Sequence, residues 1–369
     1  MDTPSISLCM IVKNEEPCLA QCLSSARSIV DEMIVVDTGS TDRSAAIASD
    51  YGAKVIHRPW DDSFSNARNR GLEEATCEWI LWLDADEALD RNEAFKLKEL
   101  LTRDSIREQQ IEGIELLFHN YLDDGYMERS YLLRLVRNRP AYRFEGRVHE
   151  QIYAVMLQHM PNGRLGRADV TVHHYGYLIR NRIRQDKVKR NTSLLRKALE
   201  EYPQNGVYHY YLGTELLKAN EPEEGLAHLN IALAHPAGLT PAVIMNAHRY
   251  RILALGLMKR YEDMVEQCSE SMTEFPAYTD LYHYKAEGLM ALGRMDQAAQ
   301  VLQEALNVGP ASEDYPSMAG YGSYLTCLEL GQCLAACGNE PEADWYFTLA
   351  SLMDSSTIAI VMHDVKTGN

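Results

Sequence analysis

Glu78-Trp79-Ile80-Leu81-Trp82-Leu83-Asp84-Ala85-Asp86-Glu87 is an apolar run that ends in two carboxylates one residue apart. Such a run reads as a strand buried on both faces. Two carboxylates presented together at a strand end repel each other unless a cation lies between them. A hard divalent ion that also binds diphosphate oxygens is the usual solution. Asp84 and Asp86 therefore point to a nucleotide-diphosphate ligand, against the plainer alternative of a strand running into an acidic turn.

Upstream, Ile6-Ser7-Leu8-Cys9-Met10-Ile11-Val12 is a second apolar run, ending in Lys13-Asn14-Glu15-Glu16 and followed by a helical segment from Cys18 to Ile29. A third, Glu32-Met33-Ile34-Val35-Val36-Asp37, breaks at Thr38-Gly39-Ser40-Thr41-Asp42 into another helix. Strand alternating with helix predicts an α/β domain with a parallel sheet. Ligands of such sheets bind outside the carboxyl ends of the strands, which gathers Asn14, Glu15, Asp37, Thr38, Asp84 and Asp86 along one edge. Gly39 permits a tight turn there, and Ser40 to Asp42 can cap the next helix.

The ordered set Val12-Lys13-Asn14-Glu15-Glu16, Val35-Val36-Asp37-Thr38-Gly39-Ser40-Thr41-Asp42, Asn66-Ala67-Arg68-Asn69 and Leu83-Asp84-Ala85-Asp86-Glu87 resembles the nucleotide-binding half of family 2 glycosyltransferases. Their fold is GT-A, a Rossmann-like nucleotide-diphospho-sugar transferase domain. The resemblance covers roughly the first half of the chain. It implies that Asp37 or Thr38 contacts the nucleotide base, and that Asp84 and Asp86 flank a metal on the diphosphate. Val12, Asn14, Glu15 and Ala85, carried by the same motifs, complete the expected donor-binding set. One departure stands out: many relatives have Asp-Asp-Gly-Ser where this chain has Asp37-Thr38-Gly39-Ser40, so a second base-reading carboxylate is missing.

Arg58, Arg68 and Arg70 lie between the second strand and the acidic one and are candidates to neutralise a diphosphate, since guanidinium forms paired bonds to its oxygens. Arg68 is preferred for its place in the family-like segment, and Arg70 reads better as part of a solvated helix face. Downstream, Tyr142-Arg143-Phe144-Glu145-Gly146-Arg147-Val148-His149-Glu150-Gln151 is dense in acid, histidine and arginine. Relatives end their catalytic half with a similar Gly-Arg-Val-His-Glu segment, near the base that takes the acceptor proton in an inverting enzyme. A positioned base is worth roughly 10²- to 10⁴-fold. Glu150 is the first candidate, His149 the second and Glu145 a weaker third, with ion pairing to Arg143 or Arg147 as its alternative. The run Ala168 to Tyr177 alternates like a strand and contains His173-His174, of which only one can face the active edge. His174, in His-Tyr-Gly-Tyr, resembles a metal-ligating histidine of some relatives. Imidazole favours Mn²⁺ over Mg²⁺.

With 369 residues the chain has room for two domains. No charged amino-terminal segment leads into an apolar signal stretch, and no run approaches the ~18 apolar residues of a membrane span. A cytoplasmic enzyme is expected. Eight cysteines without a Cys-x-x-Cys pair read as reduced core residues, Cys333 and Cys337 included. A net charge of −17 argues against nucleic-acid and anionic-lipid binding. The local exception is the basic stretch Arg180 to Arg190, read as a solvated linker helix or as a positive wall near the diphosphate or an acidic acceptor.

Past residue 200 the pattern changes to tetratricopeptide-like (TPR) helix pairs. The copies run through Leu212-Gly213, Leu216, Gly225, Leu229, Ala232; Tyr261, Met264, Cys268, Ser271; Gly293, Ala298, Leu302, Ala305; and Leu330-Gly331, Leu334, Gly338, Ala343, Phe347, Ala350. Spacings equal or exceed the ~34 residues of that repeat, with insertions near 235–241 and 309–322. The expected organisation is a GT-A domain over 1–180, a basic linker helix over 181–203 and an all-α TPR-like solenoid over 204–355. Tyr208, Tyr210, Tyr211, Tyr250, Tyr282 and Tyr284 are candidates for a binding surface, about half of them as packing residues.

The reading is an inverting, metal-dependent hexosyl- or N-acetylhexosaminyltransferase that uses Mn²⁺ or Mg²⁺ and a UDP-sugar donor. Glu150 or His149 is the base, and Asp84, Asp86 and His174 are the metal ligands. The repeats are expected to bind a polypeptide acceptor, with pairing into a homodimer or bracing of the catalytic half as alternatives. Transfer to a cell-envelope or lipid-linked saccharide, and a non-catalytic TPR scaffold, are the competing functions.

Overall fold

The computed structural model describes residues 4–122, 125–176 and 181–354, and only the backbone of 181–184 and of 354. Tyr177 and Arg180, the side chains of Arg182 and Arg184, and residue 355 of the expected repeat span lie outside the described residues. The chain divides into two compact units between Pro203 and Gln204.

In the first unit β1 (Ile6–Val12), α1 (Glu16–Ala26), β2 (Glu32–Asp37), α2 (Ser44–Asp50), β3 (Lys54–His57), α3 (Phe64–Leu72) and β4 (Trp79–Trp82) alternate as the apolar runs and their breaks dictate. Then follow β5 (Glu87–Leu89), α4 (Phe95–Leu101), α5 (Asp104–Glu108), β6 (Ile111–Tyr121), β7 (Met127–Arg137), α6 (Tyr153–His159), β8 (Arg164–His174) and α7 (Asn181–Glu201). The strands of this unit are ordered β3-β2-β1-β4-β7-β6-β8-β5. The half from β3 to β4 is parallel, as the alternation predicts. Beyond β4 the sheet is mixed: β7 is antiparallel to β4 and β6, β8 is parallel to β6, and β5 is antiparallel to β8.

The buried reading of the decisive run holds: Trp79, Ile80, Leu81, Trp82 and Leu83 are all in the core. Alternate side chains serve opposite faces. Trp79 and Leu81 pack with Ile6, Leu8 and Met10 on one side, and Ile80 and Trp82 with Cys9 and Ile34 on the other. Each such side chain contributes about 1.5–3 kcal/mol by leaving water, which fixes the height of β4 in the sheet and hence where Asp84 emerges.

The second unit consists of helix hairpins: α8 (Gly206–Lys218) with α9 (Pro222–Ala234), α10 (Pro241–Leu257) with α11 (Tyr261–Glu274), α12 (Asp280–Ala291) with α13 (Met295–Val308), and α14 (Tyr324–Ala336) with α15 (Glu340–Asp354). Small residues allow the close approach. A Cβ on Gly213 would stand 2.7 Å from Leu229 Cγ, and one on Gly225 would stand 3.1 Å from Gly213 O. Of the six tyrosines proposed for a surface, Tyr210, Tyr282 and Tyr284 are buried packing residues. All eight cysteines are free thiols, and no described helix is long and apolar enough to cross a membrane.

Candidate active site

The β1 and β2 ends are interlocked by their own loops. Asn14, in the left-handed region with φ 57°, receives Thr41 N–H on Oδ1 at 2.7 Å and donates its N–H to Ser40 Oγ at 3.0 Å. Glu15 N–H donates to Ser44 Oγ at 2.8 Å and Glu16 N–H to Asp42 Oδ2 at 3.1 Å. Asp42 also accepts the Ser44 N–H at 2.9 Å in the turn before α2, whose N-cap is Arg43 without a side-chain cap bond, so the capping expected of Ser40 to Asp42 is not made, and Gly39 turns at φ 109°.

Asp37 and Thr38 sit at the expected edge, but their side chains are turned inward. Asp37 accepts from Ser40 N–H at 2.9 Å and pairs with His57 Nδ1 at 3.2 Å. Burial works against its charge, yet these bonds prevail and hold the carboxyl below its ordinary value. The Thr38 hydroxyl donates to Val12 O at 3.1 Å. Both residues brace the turn, so the base contact expected of them is not what their present bonds serve.

At the end of β4, Asp84, Ala85 and Asp86 form a turn closed by Glu87. Glu87 N–H donates to Asp84 O at 3.0 Å, and Asp84 N–H to Glu87 Oε2 at 2.9 Å. Glu87 is buried and held by Arg134, which donates from Nη2 at 2.7 Å and lies over the Phe118 and Trp82 rings. Burial pushes the Glu87 carboxyl up, with Arg134 opposing. Asp84 has the opposite balance: burial resists its charge, but Arg68 and Arg134 outweigh it and hold the carboxyl well below the carboxylate range.

Arg68 joins the two halves of the site. Its Nη2 donates to Asp84 Oδ1 at 2.8 Å and its Nε to Glu150 Oε1, while the guanidinium lies over the Phe144 ring. The sequence placed Arg68 on a diphosphate; in the structure its charge is engaged by these two carboxylates. Arg58 is engaged by Asp61, and Arg70 by Glu73 and Glu74 on the helix surface.

The segment carrying Glu150 is fixed against α3. Asn69 and Phe144 exchange side-chain-to-backbone bonds, Phe64 N–H donates to Arg147 O at 2.8 Å, and Ser65 donates to Gly146 O. Glu145 and Gln151 pair antiparallel and close a loop over 146–150, in which His149 adopts φ 51°. A non-glycine residue held there stores backbone strain, a feature that clusters at functional sites. Glu145 thus closes the loop, while Glu150 turns into the site.

The histidine pair divides as strand geometry requires. His173 bonds Tyr121 and Asp90, whereas His174 Nδ1 lies 2.8 Å from Asn120 Oδ1 and its Nε2 lies 3.9 Å from Asp86 Oδ1. With the Asn120 amide oxygen on Nδ1, Nε2 is the ring nitrogen turned towards Asp86. Gly176 leaves the space between them: a Cβ there would stand 2.5 Å from His174 Nε2 and 2.7 Å from Asp86 Oδ2. This cradle fits a divalent cation with one carboxylate and one imidazole from the protein. Among the described residues no group of three or more His, Cys, Asp or Glu side chains is assembled to hold a metal. The remaining positions would thus fall to substrate oxygens and water, as is usual for such ions. Glu15 joins the cluster. Burial raises its carboxyl above the ordinary value; Lys187 opposes, and Asp86 and Asp84 add to the rise.

Several residues of this site were not singled out from sequence. Glu87 closes the motif stretch itself. Arg134 and Asn120 lie on β7 and β6, where nothing local announces a partner on another strand. Lys187 lay inside the basic stretch without being distinguished from its neighbours.

The profile of Glycosyl transferase family 2 matches residues 7–106. A TPR repeat-containing protein of Synechococcus elongatus is 33% identical over 322 residues, covering 81% of this chain and 75% of that protein. The SPbeta prophage-derived glycosyltransferase SunS of Bacillus subtilis is 26% identical over 319 residues, covering 83% of this chain and 72% of the relative. The lipopolysaccharide core biosynthesis glycosyltransferase LpsC of Rhizobium meliloti is 29% identical over 174 residues, 44% of this chain and 60% of that protein.

Proposed function

The chain belongs to the family 2 glycosyltransferases that carry a TPR-type helical half, and on that premise we propose that it transfers a sugar from a UDP-sugar to a polypeptide side chain with inversion at the anomeric carbon. The observation that carries this reading is the shared guanidinium: Arg68 bonds Asp84 of the donor edge and Glu150 of the acceptor-side loop.

In the proposed reaction an acceptor hydroxyl or thiol attacks the anomeric carbon as its proton passes to Glu150, with His149 as the alternative base. The bond from that carbon to the diphosphate oxygen breaks, and UDP leaves with the electron pair. Arg68 holds Glu150 in one orientation through the step. Asp86 and His174 would hold a Mn²⁺ or Mg²⁺ ion, with Asp84 beside them. Such an ion stabilises charge developing on the leaving diphosphate, an effect worth several kcal/mol.

The helical hairpins of the second unit support a polypeptide acceptor, since stacked repeats of this type present extended binding surfaces. The similarity to LpsC favours a saccharide acceptor as the second reading. Nucleotide release from UDP-, GDP- and TDP-sugars, with Mn²⁺, Mg²⁺ or EDTA, tests the donor half. Metal-dependent release from one UDP-sugar, lost in a folded Asp86→Ala variant, is expected. Near-normal release by that variant would sink the metal assignment. Capture of a polypeptide by residues 204–354, against sedimentation of the whole chain with vesicles bearing lipid-linked saccharide, separates the two acceptors.

A further inference from the structure

Each of the three acids in the β4–β5 turn has its own cation, and the three cations are not alike. Arg68 at Asp84 and Arg134 at Glu87 are 11% and 16% exposed, donate at 2.8 and 2.7 Å, and pack over aromatic rings. Asp86 faces Lys187 of α7 across 3.5 Å, and the lysine side chain is 38% exposed. A charge-assisted N–H···O contact closes to about 2.7–2.9 Å when it is tight. The Lys187 ammonium is therefore loosely held on a flexible four-carbon stem and keeps access to water.

Lys187 also approaches the cradle at which Asp86 and His174 converge beside Gly176. A divalent cation entering that cradle would meet the ammonium at the same carboxylate. A metal and the ammonium held at Asp86 repel each other, and the nearest new anion would be the diphosphate brought in with the metal. The two arginines have no comparable freedom, because leaving their partners would strand a carboxylate.

We propose that Lys187 is an exchangeable counter-ion of the donor site: it neutralises Asp86 when no donor is bound and transfers to the diphosphate when a divalent cation takes its place. This rests on the nucleotide-diphosphate reading of the site. Metal and nucleotide then bind cooperatively, since metal alone must displace Lys187 to no partner, while the pair gives it one. Coupling of this kind typically spans about 5- to 150-fold and is reciprocal.

The test is Mn²⁺ binding, followed by electron paramagnetic resonance with and without UDP, on the full chain and on Lys187→Met, Lys187→Gln and Asp86→Ala variants that melt as wild type does. Both lysine variants are expected to bind Mn²⁺ alone more tightly than wild type, to bind UDP more weakly, and to lose most of the coupling. Unchanged Mn²⁺ affinity and unchanged coupling in both would overturn the exchange. Asp86→Ala separates the two ideas: if it binds Mn²⁺ as wild type does, the site reading itself fails. If it abolishes binding while the lysine variants behave as wild type, only the exchange fails.

Discussion

Asn69 and Phe144 hold each other through two reciprocal bonds, Phe144 N–H to Asn69 Oδ1 at 2.8 Å and Asn69 Nδ2 to Phe144 O at 2.9 Å. This clamp ties α3 to the loop that carries Glu150, one residue along from the arginine that meets it. Asn69→Ala strands both backbone groups beside a buried ring, at a cost of about 1–3 kcal/mol for each unmade bond. The expected outcome is a lower melting temperature together with a fall in turnover while UDP affinity stays at the wild-type value. A variant that loses donor affinity and keeps turnover would place the loop on the donor instead of the acceptor.

Asn120 bonds His174 Nδ1 at 2.8 Å and so sets which nitrogen faces Asp86. Partners that orient a ligating histidine are typically worth about 10- to 100-fold in metal affinity. Asn120→Ala should weaken Mn²⁺ binding by that factor, read by titration without substrate. Wild-type affinity in the variant would remove His174 from the ligand set.

Glu112 accepts from Arg139 Nε and Nη2, each at 2.6 Å, and from the Tyr142 hydroxyl at 2.7 Å. Burial resists its charge, but these bonds prevail and lower the carboxyl from 4.5. The folded value is thus below the unfolded one. The stabilisation is fully present above the unfolded value and is lost as pH falls through the folded value. Urea midpoints of wild type and Glu112→Gln should differ most at about pH 7 and converge towards about pH 3. Parallel curves over that range would show that Glu112 gives no linkage.

Gly213 faces Leu229 and Gly225 across the α8–α9 contact, where an added Cβ finds no room. Gly213→Val should cost about 1–3 kcal/mol by overpacking, or disrupt the first hairpin outright. Asn220→Gly in the following turn, where φ is 62°, should leave stability unchanged or slightly raised, because glycine accepts that conformation without penalty. Thermal melts of the two variants side by side make the comparison.

The local sequence carried β1, β2 and β4 of the parallel half because they are buried on both faces and read as unbroken apolar runs from Ile6, Glu32 and Trp79, whereas β3 (Lys54–His57), exposed at both ends, gave no such signal. The helix hairpins were legible for a similar reason: small residues such as Gly213 and Ala298 recur where helices must approach. The carboxylates Asp84 and Asp86 stood out because two like charges at a strand end demand a cation. The chain alone thereby determined the α/β class and the family, and singled out the carboxyl edge as the candidate site.

Only the tertiary structure decided how the charges are shared. Arg68 meets Glu150 from 82 residues away, Arg134 meets Glu87 from 47, and Lys187 meets Asp86 from 101. No periodicity reports such separations, since a side chain's partner depends on which strands neighbour each other in the sheet and where a helix end comes to rest. In the mixed half of the sheet the alternating run from Ala168 announced β8, but the strand order escaped for the same reason, since which strands pair is a property of the assembled sheet.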